Sequence, residues 1–235
     1  MIKLPAKFKN HGLEFLYEDR DLVVVNKPVG LLTNSLRGSN AISAEAVVGD
    51  YLRKGNSRSR LCAWLVHRLD RETSGVMVFA KSEAAQQKLK DRWHENEKLY
   101  LAVVGGGKIA SSGVYKSLLA EDDDYFVHSV PEGGKFACTE YRLLFESANA
   151  SAVMVRLLTG RKNQIRVHFS EAGHPVLGDR KYGPGARASR LMLHAKSISL
   201  FHPHNGARMT FDTEIPAEFF KAVPGFTAEC WPQNG

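Results

Sequence analysis

Short apolar runs broken by polar and glycine-rich stretches set the pattern of the chain, and the period of those runs changes along it. Leu22 to Val25 form a β-branched run that ends in Asn26-Lys27-Pro28 and Gly30, which reads as strand then turn. Ala44, Val47, Val48, Tyr51 and Leu52 recur at helical spacing, with Ser39, Asn40 or Ser43 able to cap the helix. Residues 55–60 are polar and read as a loop. Ala63-Trp64-Leu65 and Val76–Ala80 are strand-like and flank residues 66–75, VHRLDRETSG. Ser82 can cap a helix whose Ala85, Leu89 and Trp93 share a face. Leu99 to Val104 reads as a strand, and Gly105-Gly106-Gly107 as a hairpin turn.

Residues 113–119, 125–130, 136–146 and 151–159 read as successive strands. Val153, Val155 and Leu157 alternate with Met154, Arg156 and Leu158, and the intervening turn residues favour antiparallel hairpins. The next helix is expected to begin near Arg161 and end at Gly173, a suitable C-cap. Leu191–Leu200 and Met209–Phe211 read as strands, and Pro216 opens a last short helix. Strands in runs rather than in strict alternation with helices predict an α+β fold with a mostly antiparallel sheet. The first twelve residues read as a tail, and no linker is long enough to separate domains.

The 235 residues, 43% of them hydrophobic, suffice for one large domain or two small ones sharing a core. Lysine and arginine number 32 against 25 acids, a formal charge of +7, which suits a polyanionic partner. The excess is concentrated. Residues 51–71 hold Arg53, Lys54, Arg58, Arg60, Arg68 and Arg71 against Asp70 alone. Residues 156–190 hold Arg156, Arg161, Lys162, Arg166, Arg180, Lys181, Arg187 and Arg190 against Glu171 and Asp179. The acidic run Glu121–Asp124 is expected elsewhere, as a solvated turn. Cys62, Cys138 and Cys230 are odd in number and widely spaced, which argues against a disulfide framework or a four-cysteine zinc site. No signal peptide and no apolar run of ~18 residues is visible. The expectation is a reduced, cytosolic, soluble chain.

Several motifs fall away on inspection. Gly105-Gly106-Gly107-Lys108 is no phosphate loop, since Ala102 stands where a glycine is needed and Ile109 where Ser or Thr is needed. His202-Pro203-His204 has no further acid or cysteine beside it in sequence to complete a metal site. No serine sits in a Gly-x-Ser-x-Gly elbow. Asp70 stands apart. It could pair with Arg68 or Arg71, or cap a turn. Yet apolar strands hem its loop, Thr73 and Ser74 can fix the turn, and two basic clusters can keep it ionised. An ionised, poorly hydrated carboxylate is suited to act as nucleophile or base, and basic clusters point to RNA or DNA.

His67-Arg68-Leu69-Asp70 followed by Thr73-Ser74-Gly75 resembles the catalytic loop of the RluA-type pseudouridine synthases. Asn26-Lys27-Pro28-Val29-Gly30 is similar to that family's N-terminal segment, and Lys98-Leu99-Tyr100-Leu101-Ala102-Val103-Val104 to its tyrosine strand. Residues 160–168, GRKNQIRVH, resemble its basic helix start. Gly173-His174-Pro175-Val176-Leu177-Gly178-Asp179 and Leu193-His194-Ala195 follow in the family's order. The resemblance spans roughly residues 15 to 215, with Asn163 where the family usually has His.

The resemblance implies a pseudouridine synthase fold: one catalytic domain over 13–223, tails at 1–12 and 224–235, and a mixed sheet in two subdomains with a central RNA-binding cleft. It implies that a uridine in rRNA or tRNA, in a stem-loop by analogy with the family's small members, is isomerised without cofactor or metal. Asp70 would act at the sugar–base centre, either attacking C1′ or abstracting a sugar proton. Arg166 would ion-pair that aspartate, and Tyr100 would pack against the base. Arg68 would fill the gap left by the flipped uridine, and Leu193 would wall the base. His67, Thr73, Arg161, Asn163, Gln164 and Lys27 complete the expected substrate-binding set. No S4-type RNA-binding domain precedes the first motif, so RNA recognition is expected from the catalytic domain itself, acting as a monomer. The alternative is an RNA-binding protein or chaperone with this fold and no isomerase activity.

Overall fold

A computed structural model describes residues 8–35, 41–54, 56, 58–184 and 188–232. The chain divides into two compact units, Met1–Asn96 with Ser197–Thr213, and Glu97–Lys196 with Glu214–Gly235.

In the first unit, β1 (Glu14–Glu18) pairs antiparallel with β2 (Leu22–Lys27), which pairs antiparallel with β4 (Ser74–Ala80). The two-residue β3 (Trp64–Leu65) adds to β4. Unbroken apolar runs mark strands covered on both faces, and every residue of β4 is buried. Helix α1 (Ala44–Arg53) starts at Ser43, whose Oγ accepts from the Ala46 N–H at 3.3 Å, and stops at Lys54 in the left-handed region, φ 49°. The other two cap candidates, Ser39 and Asn40, lie outside the described residues. Helix α2 (Glu83–Asp91) is capped by Ser82, whose Oγ accepts from the Ala85 N–H at 3.2 Å, and buries Ala85 and Leu89. It ends before Trp93, which opens a 3₁₀ turn (Trp93–Glu95), so Trp93 does not share the helix face as expected. Residues 8–12 are not loose either. Phe8 packs edge-on against Phe15 and Tyr51, and the Leu13 N–H donates to Asn10 O.

In the second unit the strands are β5 (Glu97–Val104), β6 (Ser112–Glu121), β7 (Val127–Val130), β8 (Lys135–Glu146) and β9 (Ser151–Leu157). Their order is β5-β9-β8-β6-β7, each pair antiparallel. Two of the expected hairpins, β6–β7 and β8–β9, are present. The triple glycine is not a hairpin turn, because β5 and β6 are not neighbours. It is a close crossing instead: a Cβ on Gly106, at φ +87°, would stand 1.9 Å from Gly173 O. Helix α3 (Gln164–Glu171) packs Val167 with Leu119, Val127 and Ala137. It begins three residues later than expected, with Asn163 at its N-cap in the left-handed region, φ 52°. Strand β10 (Leu193–Phe201) starts in this unit; its residues from Ser197 belong to the first and pair antiparallel with β11 (Arg208–Asp212). Helix α4 (Ala217–Ala222) follows Pro216. Beyond it Phe226 and Trp231 are buried, and the Lys196 ammonium lies 5.8 Å from the Trp231 ring. The architecture is α+β and mostly antiparallel. Among the described residues no helix is long and apolar enough to cross a membrane.

Candidate active site

The loop that carries Asp70 is fixed mainly through backbone groups. Lys27 is fully buried at the end of β2, and an ammonium there must find partners. Its three donors reach Pro28 O at 3.0 Å, Leu31 O at 2.8 Å and Arg71 O at 3.3 Å. Gly30 and Arg71 close the same junction twice: the Gly30 N–H donates to Arg71 O at 2.8 Å, and Arg71 Nε donates to Gly30 O at 3.0 Å. Thr33 Oγ1 donates to Leu69 O at 2.6 Å and accepts from the Leu69 N–H at 3.2 Å. The Thr73 N–H donates to Asp70 O at 3.1 Å, so a turn presents Asp70, half-buried, between exposed Arg68 and Arg71. At the loop's start, His67 Nε2 accepts from the Val78 N–H at 3.0 Å, and its ring stacks on Trp93.

The second unit holds the other expected residues. Arg166, 4% exposed, projects from the first turn of α3 and grips Asp179 with two parallel bonds, Nε to Oδ2 at 2.7 Å and a terminal nitrogen to Oδ1 at 2.8 Å. Asp179 Oδ1 also accepts from the Lys181 and Tyr182 N–H groups, both at 2.9 Å. Burial alone would raise the Asp179 carboxyl. The Arg166 bonds and charge, with the two backbone donors, overturn that and hold it below the ordinary carboxylate range. Gly178 makes the approach possible, since a Cβ there would stand 1.9 Å from Arg190 O. The Tyr182 ring lies 5.3 Å from the Arg166 guanidinium, and its hydroxyl donates to Asn163 Oδ1 at 3.2 Å. Tyr100, on β5 opposite Val155, and Leu193, at the start of β10, are both buried.

Three residues of the expected RNA-binding set are buried and make hydrogen bonds inside the protein. Lys27 is the loop clamp described above. Thr73 is buried and closes the Asp70 turn. Gln164 is 2% exposed with its amide fully engaged. Its Oε1 accepts from Thr159 Oγ1 and the Arg161 N–H, and its Nε2 donates to Cys138 O and Thr139 Oγ1. That reach back to Arg161 explains why the turn precedes the helix. Arg161 is exposed, with Nε on Phe136 O.

The acidic run is a solvated turn, but it is not remote from the basic residues: Glu121 pairs with Lys162. Arg156 is likewise shared between Glu97 and Glu140, and Arg187 lies outside the described residues. Among the described residues Asp19, Asp21 and His202 bring ligand atoms within 4.8 Å of one another. The Asp19 carboxylate is already occupied there, accepting from Tyr17 OH, His202 Nε2 and the Asp21 and Leu22 N–H groups, all at 2.8 Å.

Sequence reasoning assigned no role to Asp179 or Tyr182. Asp179 stood within a quoted motif, and its pairing with an arginine thirteen residues earlier has no local signal.

The RNA pseudouridylate synthase family model matches residues 21–171. The dual-specificity RNA pseudouridine synthase RluA of Escherichia coli (strain K12) is 39% identical, the match covering 88% of this chain and 94% of that protein. An uncharacterized RNA pseudouridine synthase of Aquifex aeolicus is 35% identical over 97% of this chain and 77% of its own length. Among solved structures, human RNA pseudouridylate synthase domain containing 4 superposes with a TM-score of 0.72 at 25% identity, covering 89% of this chain and 90% of that one. With the family model spanning more than half the chain and the E. coli relative matched over 94% of its length, the chain belongs to the RluA-type RNA pseudouridine synthases, enzymes that isomerise uridine in RNA.

Proposed function

We propose that this enzyme isomerises a specific uridine in rRNA or tRNA, presented in a stem-loop, with Asp70 as the catalytic carboxylate. The observation that carries the reading is the backbone clamp around Asp70. A buried lysine and a buried threonine spend their hydrogen bonds on holding a short charged loop, which orients one half-buried carboxylate beside exposed arginines. Orientation of that kind lowers a barrier by pre-setting geometry.

In the reaction the N1–C1′ bond breaks, the uracil turns, and a C5–C1′ bond forms; C5 loses its proton and N1 gains one, so the net change is an isomerisation. Asp70 acts at C1′ or on a sugar proton. Arg68 fills the space of the flipped nucleotide, Tyr100 packs on the base, Leu193 walls it, and Arg166 supports the carboxylate. Arg161 and Arg68 supply phosphate or stacking contacts. The enzyme works as a cytoplasmic monomer without cofactor or metal. The E. coli relative is named as dual-specificity, so both RNA classes belong in the assay.

The experiment is Asp70→Asn on RNA carrying tritium at uridine C5, which isomerisation releases. Release should vanish while RNA binding stays within a few-fold and weakens steeply with added salt. A variant that kept a tenth of wild-type turnover would remove Asp70 from its role. Mapping pseudouridines in a deletion strain then identifies the target.

A further inference from the structure

Strand β3 pairs with β4 over two positions only, Trp64 with Ala80 and Leu65 with Phe79. Past Leu65 the backbone leaves the ladder to form the Asp70 loop. A buried strand cannot leave an N–H unpaired without cost, and the Val78 N–H is taken up by a side chain, His67 Nε2, at 3.0 Å. The imidazole thus takes the bond next to the last position that β3 pairs. Its ring is held from the side by Trp93, with centroids 5.0 Å apart and planes 29° from parallel. The preceding helix is tied in as well, through Gln86 Nε2 donating to Leu65 O. Asp70 follows three residues later.

A neutral imidazole accepts at one nitrogen and donates at the other, so acceptance at Nε2 places the proton on Nδ1. An imidazolium has two donors and no acceptor, and it cannot take the Val78 bond. We propose that His67 is a positioning residue: its neutral ring anchors the start of the catalytic loop to β4, and turnover depends on the ring staying neutral. The inference rests on the reading of Asp70 above for its catalytic half alone. It also separates His67 from the RNA contacts among which the resemblance places it.

The charged surroundings are defined. Neither β3 nor β4 carries an ionisable residue. The 3₁₀ turn and its cap carry Arg92, His94 and Glu95, of which Arg92 and Glu95 bond each other at 2.9 and 2.6 Å. Helix α2 carries Glu83, Lys88, Lys90 and Asp91. The loop itself carries Arg68, Asp70, Arg71 and Glu72, with Arg71 engaged on Gly30 O.

The test uses the full chain as wild type, His67→Phe and His67→Gln, between about pH 8 and pH 5. Two quantities are read: hydrogen exchange of the Val78 amide, and tritium release from tRNA and rRNA transcribed with C5-tritiated uridine. His67→Phe keeps a ring against Trp93 but no acceptor. Its Val78 amide should exchange on the order of tenfold faster at pH 8, and kcat should fall on the order of tenfold with KM for RNA unmoved. His67→Gln restores an acceptor. It should recover most of both losses, and its kcat should not fall with imidazole protonation as wild type does. Unchanged Val78 exchange in His67→Phe overturns the anchoring, and a raised KM at constant kcat makes His67 an RNA contact instead. Should wild type release no tritium from either RNA, the isomerase reading fails, while Val78 exchange alone still decides for or against the anchor.

Discussion

The Asp70 loop and the first turn of α3 fix their key side chains by opposite means. Around Asp70 the fixing groups are backbone carbonyls and amides, gathered by Lys27, Thr33 and the Gly30–Arg71 pair, and the carboxylate itself stays half-buried. At α3 the key side chain, Arg166, is itself buried and held by another charge, Asp179. A backbone clamp leaves the presented group open to a substrate. A buried ion pair orients a guanidinium but ties that orientation to a carboxylate that must stay ionised.

The sharpest way to break this contrast is Asp179→Ala. It takes the bidentate carboxylate from a buried guanidinium, and the expected loss is roughly 3–5 kcal/mol of unfolding free energy, read by urea denaturation. A loss under about 1 kcal/mol would mean Arg166 is not held by this pair. Lys27→Met is the counterpart on the other side. Three carbonyls lose a charged donor, for roughly 2–3 kcal/mol and a drop in kcat as the Asp70 loop loosens. A normal kcat in a folded Lys27→Met enzyme would show that the loop needs no clamp.

Acid separates the means further. Burial, with Arg190 and then Lys196 adding positive charge, pushes His194 down to about 3. Unfolded histidine takes its proton near pH 6.5 and the native ring does not, so stability falls as pH drops from there, by about 1.4 kcal/mol per pH unit. Buried His168, also lowered chiefly by burial, adds to the same trend. Asp179 has the same sign in a lower window: its lowered carboxyl contributes stability that is present above the unfolded value near 3.9 and lost as pH falls from there through the native one. His194→Gln should flatten the decline between about pH 6.5 and pH 4, and an unaltered slope would assign it to other groups. The smallest expected effect is Ser82→Ala, about 1 kcal/mol from a lost cap at α2, distant in kind from both clamps and a baseline for ordinary helix damage.

What could be read in advance was whatever depends on neighbours in sequence. Continuous or alternating apolar runs marked nearly every strand from β2 onward, and Ser43, Ser82 and Pro216 marked three helix starts, because period and capping act over a few residues. β1 escaped because it is short and its register shifts between Phe15 and Tyr17, which breaks the alternation. The start of α3 was misjudged because Gln164 folds its amide back onto Arg161 and into β8, holding Asn163 in a left-handed turn.

By itself the sequence determined the family, the order of the motifs and the identity of the charged loop, since those are properties of residue type and spacing. Only the tertiary structure decided which polar residues are buried and which stay open to solvent. Lys27, Thr73 and Gln164 carry the same donors and acceptors wherever they stand. Burial sets them against carbonyls and amides of the chain, because a buried polar group must spend its bonds inside the protein.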